Sequence, residues 1–305
     1  MKLFVSHDGA IDDFVALALT ALSPEVDLVG VQLVDGDCLA EPAMRAQRKM
    51  LRLLGREDVA QSLSRARGLN PFPWEYRADC VRFEKLLPED DQPTAAPDGE
   101  AHLQRTLAAA EEPLTVLALG PLTPLQLALE PRPELLARVD RLVWMGGAVD
   151  VPGNLDPATL PGVPVGDRAE WNVFWDPPAA DWVFRNLTAP ITLAPLDISN
   201  QAPITPRFLD LLQTSDAPAA CLAAQAYASV ADQPFYRLWD VTAAMYVIEP
   251  GLFQQPRTER LEVVTTGRDQ GASVRSDSGR EIEVLSAFAA LDATDLHRAV
   301  AARLG

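Results

Sequence analysis

Three aspartates, Asp8, Asp12 and Asp13, stand within a few residues of one another near the start of the chain. A short apolar stretch precedes them, and a stretch rich in Ala and Leu follows. Capping of free backbone N–H groups explains one Asp at a helix start. Three Asp residues are more than capping requires. Their mutual repulsion lowers the stability of the fold unless a cation lies among them. Such hard oxygen ligands suit Ca²⁺ or Mg²⁺, so the segment indicates either a metal site or a solvated acidic turn.

An aspartate after a first strand is also the nucleophile in some phosphoryl-transfer enzymes. That chemistry needs a Lys and a Ser or Thr to hold the phosphate. The residues that follow Asp8 offer further acids instead. A phosphotransferase is therefore the weaker interpretation of this segment.

The elements that must position these acids alternate along the chain. Strand-like stretches are predicted at 3–5, 28–34, 114–119, 141–145 and 191–196, and helix-like stretches at 14–22, 42–54, 122–129, 176–184 and 293–304. This alternation predicts an α/β fold of one domain, 1–305, built on an open, mostly parallel sheet with helices on both faces. Three short strands within 261–288 predict a small β addition.

Ligands bind at the carboxyl ends of the strands in such a sheet. Asp8, Asp37, Thr123 and Gly147 each come shortly after a predicted strand. We therefore expect these positions to meet at one edge of the sheet. Two Pro-containing loops, 90–99 and 152–166, are too short to separate domains.

The composition limits the partners of the chain. Its 305 residues hold 26 Lys and Arg against 43 Asp and Glu, a net charge of −17. That balance argues against binding of nucleic acid or of an anionic membrane. Three cysteines, no basic leader and no long apolar run predict a cytoplasmic protein without a membrane span.

Five motifs in order resemble those of the nucleoside hydrolase family. Its Asp-x-Asp-x-x-x-Asp-Asp signature is similar to 6–13, with Ser6 in place of the first Asp. The other matching segments are 120–123, 145–154, 170–177 and 239–240. The match is closest to the purine-specific inosine–adenosine–guanosine branch, through the segments 35–38, 70–73 and 271–277 and through Trp239 before the late Asp.

The resemblance implies a mixed sheet and hydrolysis of the N-glycosidic bond of purine ribonucleosides. It also implies that Ca²⁺ is held by Asp8, Asp13, Asp240 and the main-chain carbonyl of Thr123. Asp8 would then take the proton from a calcium-bound water. The transition state would be oxocarbenium-like, which surrounding carboxylates stabilise.

The resemblance also assigns the substrate contacts. The residues expected to bind the ribose hydroxyls are Asp12, Asn154, Glu170 and Asn172. Trp171, between Glu170 and Asn172, is also expected to contact the substrate. Those expected at the base are Trp239, whose stacking would also activate the leaving group, and Asp37 and Tyr76. Tyr76 stands where the branch has a second Trp, and Trp74 is the alternative stacking residue. Tyr236 is assigned to a loop over the site. Taken singly, each of these residues has a simpler structural interpretation as a turn, surface or core residue.

Other predictions follow from the resemblance and from its departures. A nucleoside is the expected small-molecule partner, and the chain is expected to form a homodimer or a larger homo-oligomer. Ser6, Tyr76 and a long stretch between Asn154 and Glu170 keep two alternatives open. These are a hydrolase of pyrimidine or modified ribosides and a non-catalytic nucleoside-binding protein.

Residues outside the motifs receive structural interpretations. Cys38 and Cys221 are predicted to be packing residues, and His102 and His297 to be surface residues. His7, inside the acidic turn, is predicted to orient a carboxylate.

Overall fold

The computed structural model describes residues 1–74, 76–89 and 96–305. Its strands are β1 (Lys2–His7), β2 (Asp27–Leu33), β3 (Gln61–Leu63), β4 (Leu114–Ala118), β5 (Val139–Met145), β6 (Ile191–Ala194), β7 (Arg257–Val263), β8 (Ser273–Arg275) and β9 (Arg280–Val284). Its helices are α1 (Ile11–Leu22), α2 (Ala40–Leu53), α3 (Asp79–Glu84), α4 (Gly99–Ala109), α5 (Thr123–Leu129), α6 (Trp171–Phe174), α7 (Pro177–Asn186), α8 (Leu196–Ser199), α9 (Pro206–Leu212), α10 (Pro218–Ala228), α11 (Trp239–Ile248) and α12 (Thr294–Leu304). Short 3₁₀ turns occur at Pro133–Arg138, Pro157–Thr159 and Pro250–Leu252.

The strands form one sheet in the order β3-β2-β1-β4-β5-β6-β9-β7-β8. All pairs from β3 to β9 are parallel, whereas β7 pairs antiparallel with both β9 and β8. The predicted open, mostly parallel α/β sheet is therefore confirmed. The predicted β addition extends this same sheet, because β9 pairs with β6.

The core lies on both faces of the sheet because successive strand residues point to opposite sides. In β1, Leu3 and Val5 join one apolar cluster and Phe4 joins the other. In β5, Met145 belongs to the first cluster and Trp144 to the second. Strands that are apolar at every position are expected for a parallel sheet that helices cover on both faces. Among the described residues, no helix has the length and apolar character needed to cross a membrane.

Some sequence-based expectations were wrong in detail. Helix α1 begins at Ile11 rather than at 14, so two of the three clustered aspartates lie in its first turn. In the predicted loop 90–99, residues 90–95 lie outside the described residues, and α4 begins at Gly99. Strand β3 was not predicted, since its three residues are too few to show a period.

The prediction that His102 and His297 are surface residues is wrong. Each is 8% exposed. The Nδ1 atom of His102 lies 2.7 Å from Ser62 Oγ, and the ring of His297 stacks on Phe208 with centroids 4.6 Å apart. Both rings lie on the inward faces of their helices. The hydroxyl of Ser62 compensates the burial of His102, and a hydrogen bond to the backbone of Pro203 compensates in part that of His297, whose Nε2 has no partner among the described residues.

Candidate active site

The acidic turn connects β1 to α1 through a tight bend at Gly9. Gly9 has a φ of +86°, and a Cβ there would lie 2.7 Å from Ala43 Cβ, so the position requires glycine. Asp13 closes the turn, because its Oδ1 and Oδ2 accept the N–H groups of Asp8 and Ala10 at 3.1 and 2.9 Å. Asp13 thus has a structural explanation in part, as a residue that caps the α1 N-terminus. Asp8 stays at the carboxyl end of β1.

A cavity of about 550 Å³ opens at the carboxyl ends of the central strands. It brings together all but one of the residues predicted from the sequence. Those that line it are Asp8, Asp12, Asp13, Asp37, Tyr76, Asn154, Glu170, Trp171, Asn172, Trp239 and Asp240. Residues from the ends of several strands therefore meet in one place, as expected for a ligand site in an open α/β sheet.

Thr123 is the predicted residue that lies outside this lining. It is buried at the first turn of α5, and its hydroxyl donates to Asp176 Oδ2 at 2.8 Å. Asp176 in turn caps α7 by accepting the N–H of Ala179. The Thr123 side chain therefore connects two helices, and only its main-chain carbonyl is left for the predicted metal contact.

Burial, with repulsion from neighbouring carboxylates, raises the pKa of the aspartates that line the cavity. Burial raises the pKa of Asp8 to about 7. Burial and the neighbouring carboxylates raise the pKa of Asp13 and of Asp240 well above the ordinary range. The side chains of Asp8, Asp13 and Asp240 therefore lie close enough to disfavour one another's charge. A cation among them would remove that penalty.

The donor set fits a hard divalent cation. Asp240 Oδ1 is buried and has no hydrogen-bond partner among the described residues, which is costly unless another group binds it. No three His, Cys, Asp or Glu side chains among the described residues, Asp8, Asp13 and Asp240 included, are already gathered as metal ligands. Main-chain carbonyl, water and sugar oxygens would therefore have to complete the coordination, which Ca²⁺ accepts.

Glu170, Asn172 and Asn154 also line the cavity and are held in place by hydrogen bonds within the protein. Glu170 is 1% exposed and caps α6, while its Oε2 also accepts the N–H of Gly147 at 2.9 Å. The Asn172 amide donates to the carbonyl of Met145 at 2.9 Å, and Asn154 Oδ1 accepts the N–H of Trp171 at 3.1 Å. Fixed carboxylate and amide groups of this kind suit the hydroxyls of a neutral sugar.

Asp197 supports the loop that carries Asn154. It is buried after β6, and its two oxygens accept the N–H groups of Val149 and Asp150 at 2.9 and 2.7 Å. We expect Asp197→Ala to lower the free energy of unfolding by about 1–3 kcal/mol, since two backbone donors lose their acceptor. Denaturant unfolding measures this loss, and Asp197→Asn, which keeps one acceptor oxygen, should lose less. Equal stability of Asp197→Ala and the unsubstituted chain would contradict the assignment.

Tyr76, rather than Trp74, lines the cavity. The Trp74 side chain is 74% exposed, whereas the Tyr76 ring lies edge-on to Phe72 and Phe235 at 6.4 and 6.3 Å. Asp35 forms ion pairs with Arg67 and Arg77, which tie the loop holding Tyr76 to the end of β2. Phe72 also contacts Trp171, with ring centroids 4.6 Å apart.

Trp239 lies at the start of α11 and is tilted against Tyr236, with ring centroids 4.8 Å apart. Tyr236 belongs to the loop before α11, is 6% exposed and lines the cavity. The lining of the cavity thus combines carboxylates, side-chain amides and aromatic rings. That combination suits a flat, uncharged ring joined to a polyol.

His7 is buried behind the acidic turn. Its Nε2 lies 2.7 Å from Gln47 Oε1 and its Nδ1 lies 3.8 Å from Asp13 Oδ1. Burial lowers the pKa of His7 to about 4, so the ring is neutral at pH 7. Nδ1 has no hydrogen-bond partner among the described residues, so the orientation of a carboxylate by His7 stays a prediction.

Several cavity residues were not predicted from the sequence, and most of them lie in loops or at helix ends. They are Phe72, Asp79, Asp156, Thr159, Asn200, Gln233, Phe235 and Arg237. Phe72 and Asp79 stand within four residues of Tyr76 and could have been found from that proximity. The same signal was present for Asp156, two residues from Asn154, and for Gln233, Phe235 and Arg237, which lie within three residues of Tyr236. Thr159 and Asn200 carry no such signal, because only the folded chain brings them to the cavity.

Comparison with known proteins agrees with this geometry. A model of the inosine-uridine preferring nucleoside hydrolase family matches residues 3–298. The pyrimidine-specific ribonucleoside hydrolase RihA of Klebsiella pneumoniae (strain 342) is 32% identical over 231 residues, which cover 74% of this chain and 70% of that protein. RihA of Escherichia coli O81 (strain ED1a) is 32% identical over 209 residues, or 67% of this chain, and the chain spans 63% of that protein's length.

A solved structure extends the likeness over nearly the whole chain. The crystal structure of an inosine-uridine preferring nucleoside hydrolase from Bacillus anthracis is 33% identical, with a TM-score of 0.88. The match covers 99% of this chain and 98% of that one. The motifs, the fold and these likenesses agree, and the chain belongs to the nucleoside hydrolase family.

Proposed function

We propose that this protein hydrolyses the N-glycosidic bond of ribonucleosides, with Ca²⁺ held by Asp8, Asp13, Asp240 and the carbonyl of Thr123. The observation that carries the proposal is the meeting of buried carboxylates, hydrogen-bonded side-chain amides and aromatic rings in one cavity. A bound calcium ion supplies positive charge that offsets these carboxylates and lowers the pKa of water in its coordination shell. The free base and ribose would be the products.

Asp8 is the proposed general base. Its Oδ2 accepts the N–H of Asp37 at 2.9 Å, and the remaining lone pairs of the carboxylate are proposed to contact the cation and to accept the proton of the attacking water. The backbone contact fixes the orientation of the carboxylate, and a fixed base is efficient because it needs no reorganisation during the reaction. The positive charge that develops on the sugar is stabilised by the acids around it.

Asp12, Asn154, Glu170 and Asn172 are proposed to hold the ribose hydroxyls. Their own hydrogen bonds within the protein restrict their rotamers, so the sugar would meet a preorganised surface. A nucleoside 5′-phosphate would be disfavoured, because the cavity concentrates negative charge.

At the base, we propose a preference for purines. Trp239, Tyr76 and Trp171 line the cavity and supply aromatic surface, which favours the larger bicyclic ring. Asp37 Oδ1 is buried without a hydrogen-bond partner among the described residues and can accept an N–H of the base. Hydrolysis of pyrimidine ribonucleosides is the second candidate, favoured by the two RihA relatives, whose names describe them as pyrimidine-specific.

A substrate panel tests the proposal. We expect release of free base from inosine and guanosine with a larger kcat/KM than from uridine and cytidine, and little release from the 5′-monophosphates. A higher kcat/KM for the pyrimidine ribonucleosides would contradict the proposed purine preference but would still support hydrolysis of the N-glycosidic bond. Nucleoside binding by calorimetry without base release over long incubation would favour a non-catalytic binding protein.

Trp239→Ala should separate activation of the leaving group from attack on the sugar. We expect kcat for inosine to fall by about 10- to 100-fold, while kcat for p-nitrophenyl riboside changes little, because its leaving group departs without protonation. Trp239→Phe, which keeps a stacking ring, is the control, and its kcat for inosine should lie between those of Trp239→Ala and the unsubstituted protein. Equal losses on both substrates would mean that Trp239 only shapes the cavity.

Assembly into a homodimer or larger oligomer is also proposed, on the resemblance of the sequence alone. Size-exclusion chromatography with light scattering measures it directly.

A further inference from the structure

Helix α11, which carries Trp239 and Asp240, begins without a capping side chain of its own. Its N-cap residue is Leu238, which has no acceptor. The N–H groups of Asp240 and Val241 instead donate to Asp12 Oδ2, at 2.5 and 3.1 Å. These are the positions that an N-cap carboxylate normally satisfies, so Asp12 of α1 caps α11 from a distant part of the chain.

A second residue holds the other oxygen of Asp12. Tyr227 lies in α10, is 0% exposed, and its hydroxyl donates to Asp12 Oδ1. The Tyr227 ring is fixed by Phe208, with centroids 5.7 Å apart. Burial raises the pKa of Tyr227 well above its usual value, so the hydroxyl stays protonated and remains a donor.

We propose that Tyr227 is a positioning residue of the active site, which sets the place of Asp240 through Asp12. The hydroxyl keeps the Asp12 carboxylate turned so that its other oxygen meets the first turn of α11. That turn bears the buried Asp240 oxygen that lacks a partner among the described residues. The inference rests on the proposed function, since it takes Asp240 to be a ligand of the cation.

This role is compatible with the proposed contact between Asp12 and the ribose. A carboxylate has roughly four lone-pair positions, and the donors from Tyr227, Asp240 and Val241 use three of them. The remaining position can accept one sugar hydroxyl. Asp12 would then transmit the orientation set by Tyr227 to both the cation site and the sugar.

Calcium binding to metal-stripped protein tests the proposal without recourse to activity. We expect Tyr227→Phe, measured by titration calorimetry with calcium chloride, to bind about 10-fold more weakly than the unsubstituted protein, as supporting residues of a metal site commonly do. Tyr246→Phe is the matched control. Tyr246 lies in α11, the helix that carries Asp240, but its hydroxyl contacts Thr192 and Arg141 instead of Asp12. Its calcium affinity should change less than twofold.

A double-mutant cycle with Asp12→Asn decides whether Tyr227 acts through Asp12. If it does, adding Tyr227→Phe to Asp12→Asn weakens calcium binding no further. The same loss in both backgrounds would overturn the proposal, as would unchanged affinity of Tyr227→Phe. Asp12→Asn alone should also bind calcium weakly, because the proposed path from Tyr227 to Asp240 runs through this carboxylate. Normal calcium affinity of Asp12→Asn would therefore overturn the proposal even if Tyr227→Phe does not fold. Failure of the unsubstituted protein to bind calcium would instead reject the proposed metal site.

Discussion

Replacing Asp8 by Asn should lower turnover of ribonucleosides by about 10²- to 10⁴-fold, the usual contribution of a general base. The amide keeps the shape of the side chain and one oxygen to accept the N–H of Asp37. It cannot take up the proton of the attacking water, and it removes one charged oxygen from the proposed cation site. Base release measured at saturating inosine reports the loss directly.

The fold should survive this change. Burial already raises the pKa of Asp8 to about 7, so the neutral amide removes a charge that the folded state disfavours when no cation is bound. The thermal midpoint of the metal-free variant should therefore equal or exceed that of the metal-free unsubstituted protein. Asp277→Asn, at an exposed position, is the control for loss of a carboxylate. Unchanged turnover in Asp8→Asn would assign the base to another residue.

Removal of calcium is the second change with a large expected effect. A chelator selective for Ca²⁺ should abolish base release, and added CaCl₂ should restore it. Without the cation, the three aspartates lie in a site that disfavours their charge. Burial raises the pKa of Asp8, and burial together with neighbouring carboxylates raises the pKa of Asp13 and of Asp240. Activity assays with and without the chelator, followed by calcium add-back, give the result.

Calcium should also stabilise the fold. At a free calcium concentration about 100 times Kd, binding adds roughly 2.7 kcal/mol to the free energy of unfolding. For a chain of this size that corresponds to a rise of about 5 °C in Tm. Differential scanning calorimetry measures the shift, with MgCl₂ as the comparison cation. Full activity and an unchanged Tm in the presence of chelator would argue against a metal-dependent reaction.

Much of the fold was predictable because its signals are local. A buried strand, an acidic turn and an apolar helix follow one another within the first 22 residues, and the same alternation recurs along the chain. Parallel strands bring their carboxyl ends to one edge, so Asp8 and Asp37 were expected to meet before any contact was known. The short strand β3 and helix α3 were missed, since three and six residues show too little period to recognise. The longer helix α10 was also missed, because its Ala-rich sequence has almost no polar residues to mark an exposed face.

Site residues that belong to a motif were predictable from the sequence. The direction of a side chain was not predictable where tertiary packing decides it. His102 lies in a helix whose apolar pattern is weak, and only the tertiary structure turns its ring inward to Ser62. Likewise, a sequence that offers Trp74 and Tyr76 two residues apart cannot say which ring faces the cavity. The course of the loop decides it, and it leaves Trp74 exposed.

The sequence by itself determined the chemistry: which acids, amides and aromatic rings follow the strands, and the family that their order resembles. Only the tertiary structure decided how those groups support one another. Tyr227 and Asp12 are 215 residues apart, and Asp12 and Asp240 are 228 apart, so no local pattern links them. Such contacts arise because the fold packs α1 against α10 and α11, which puts donors beside a carboxylate that would otherwise be buried without partners.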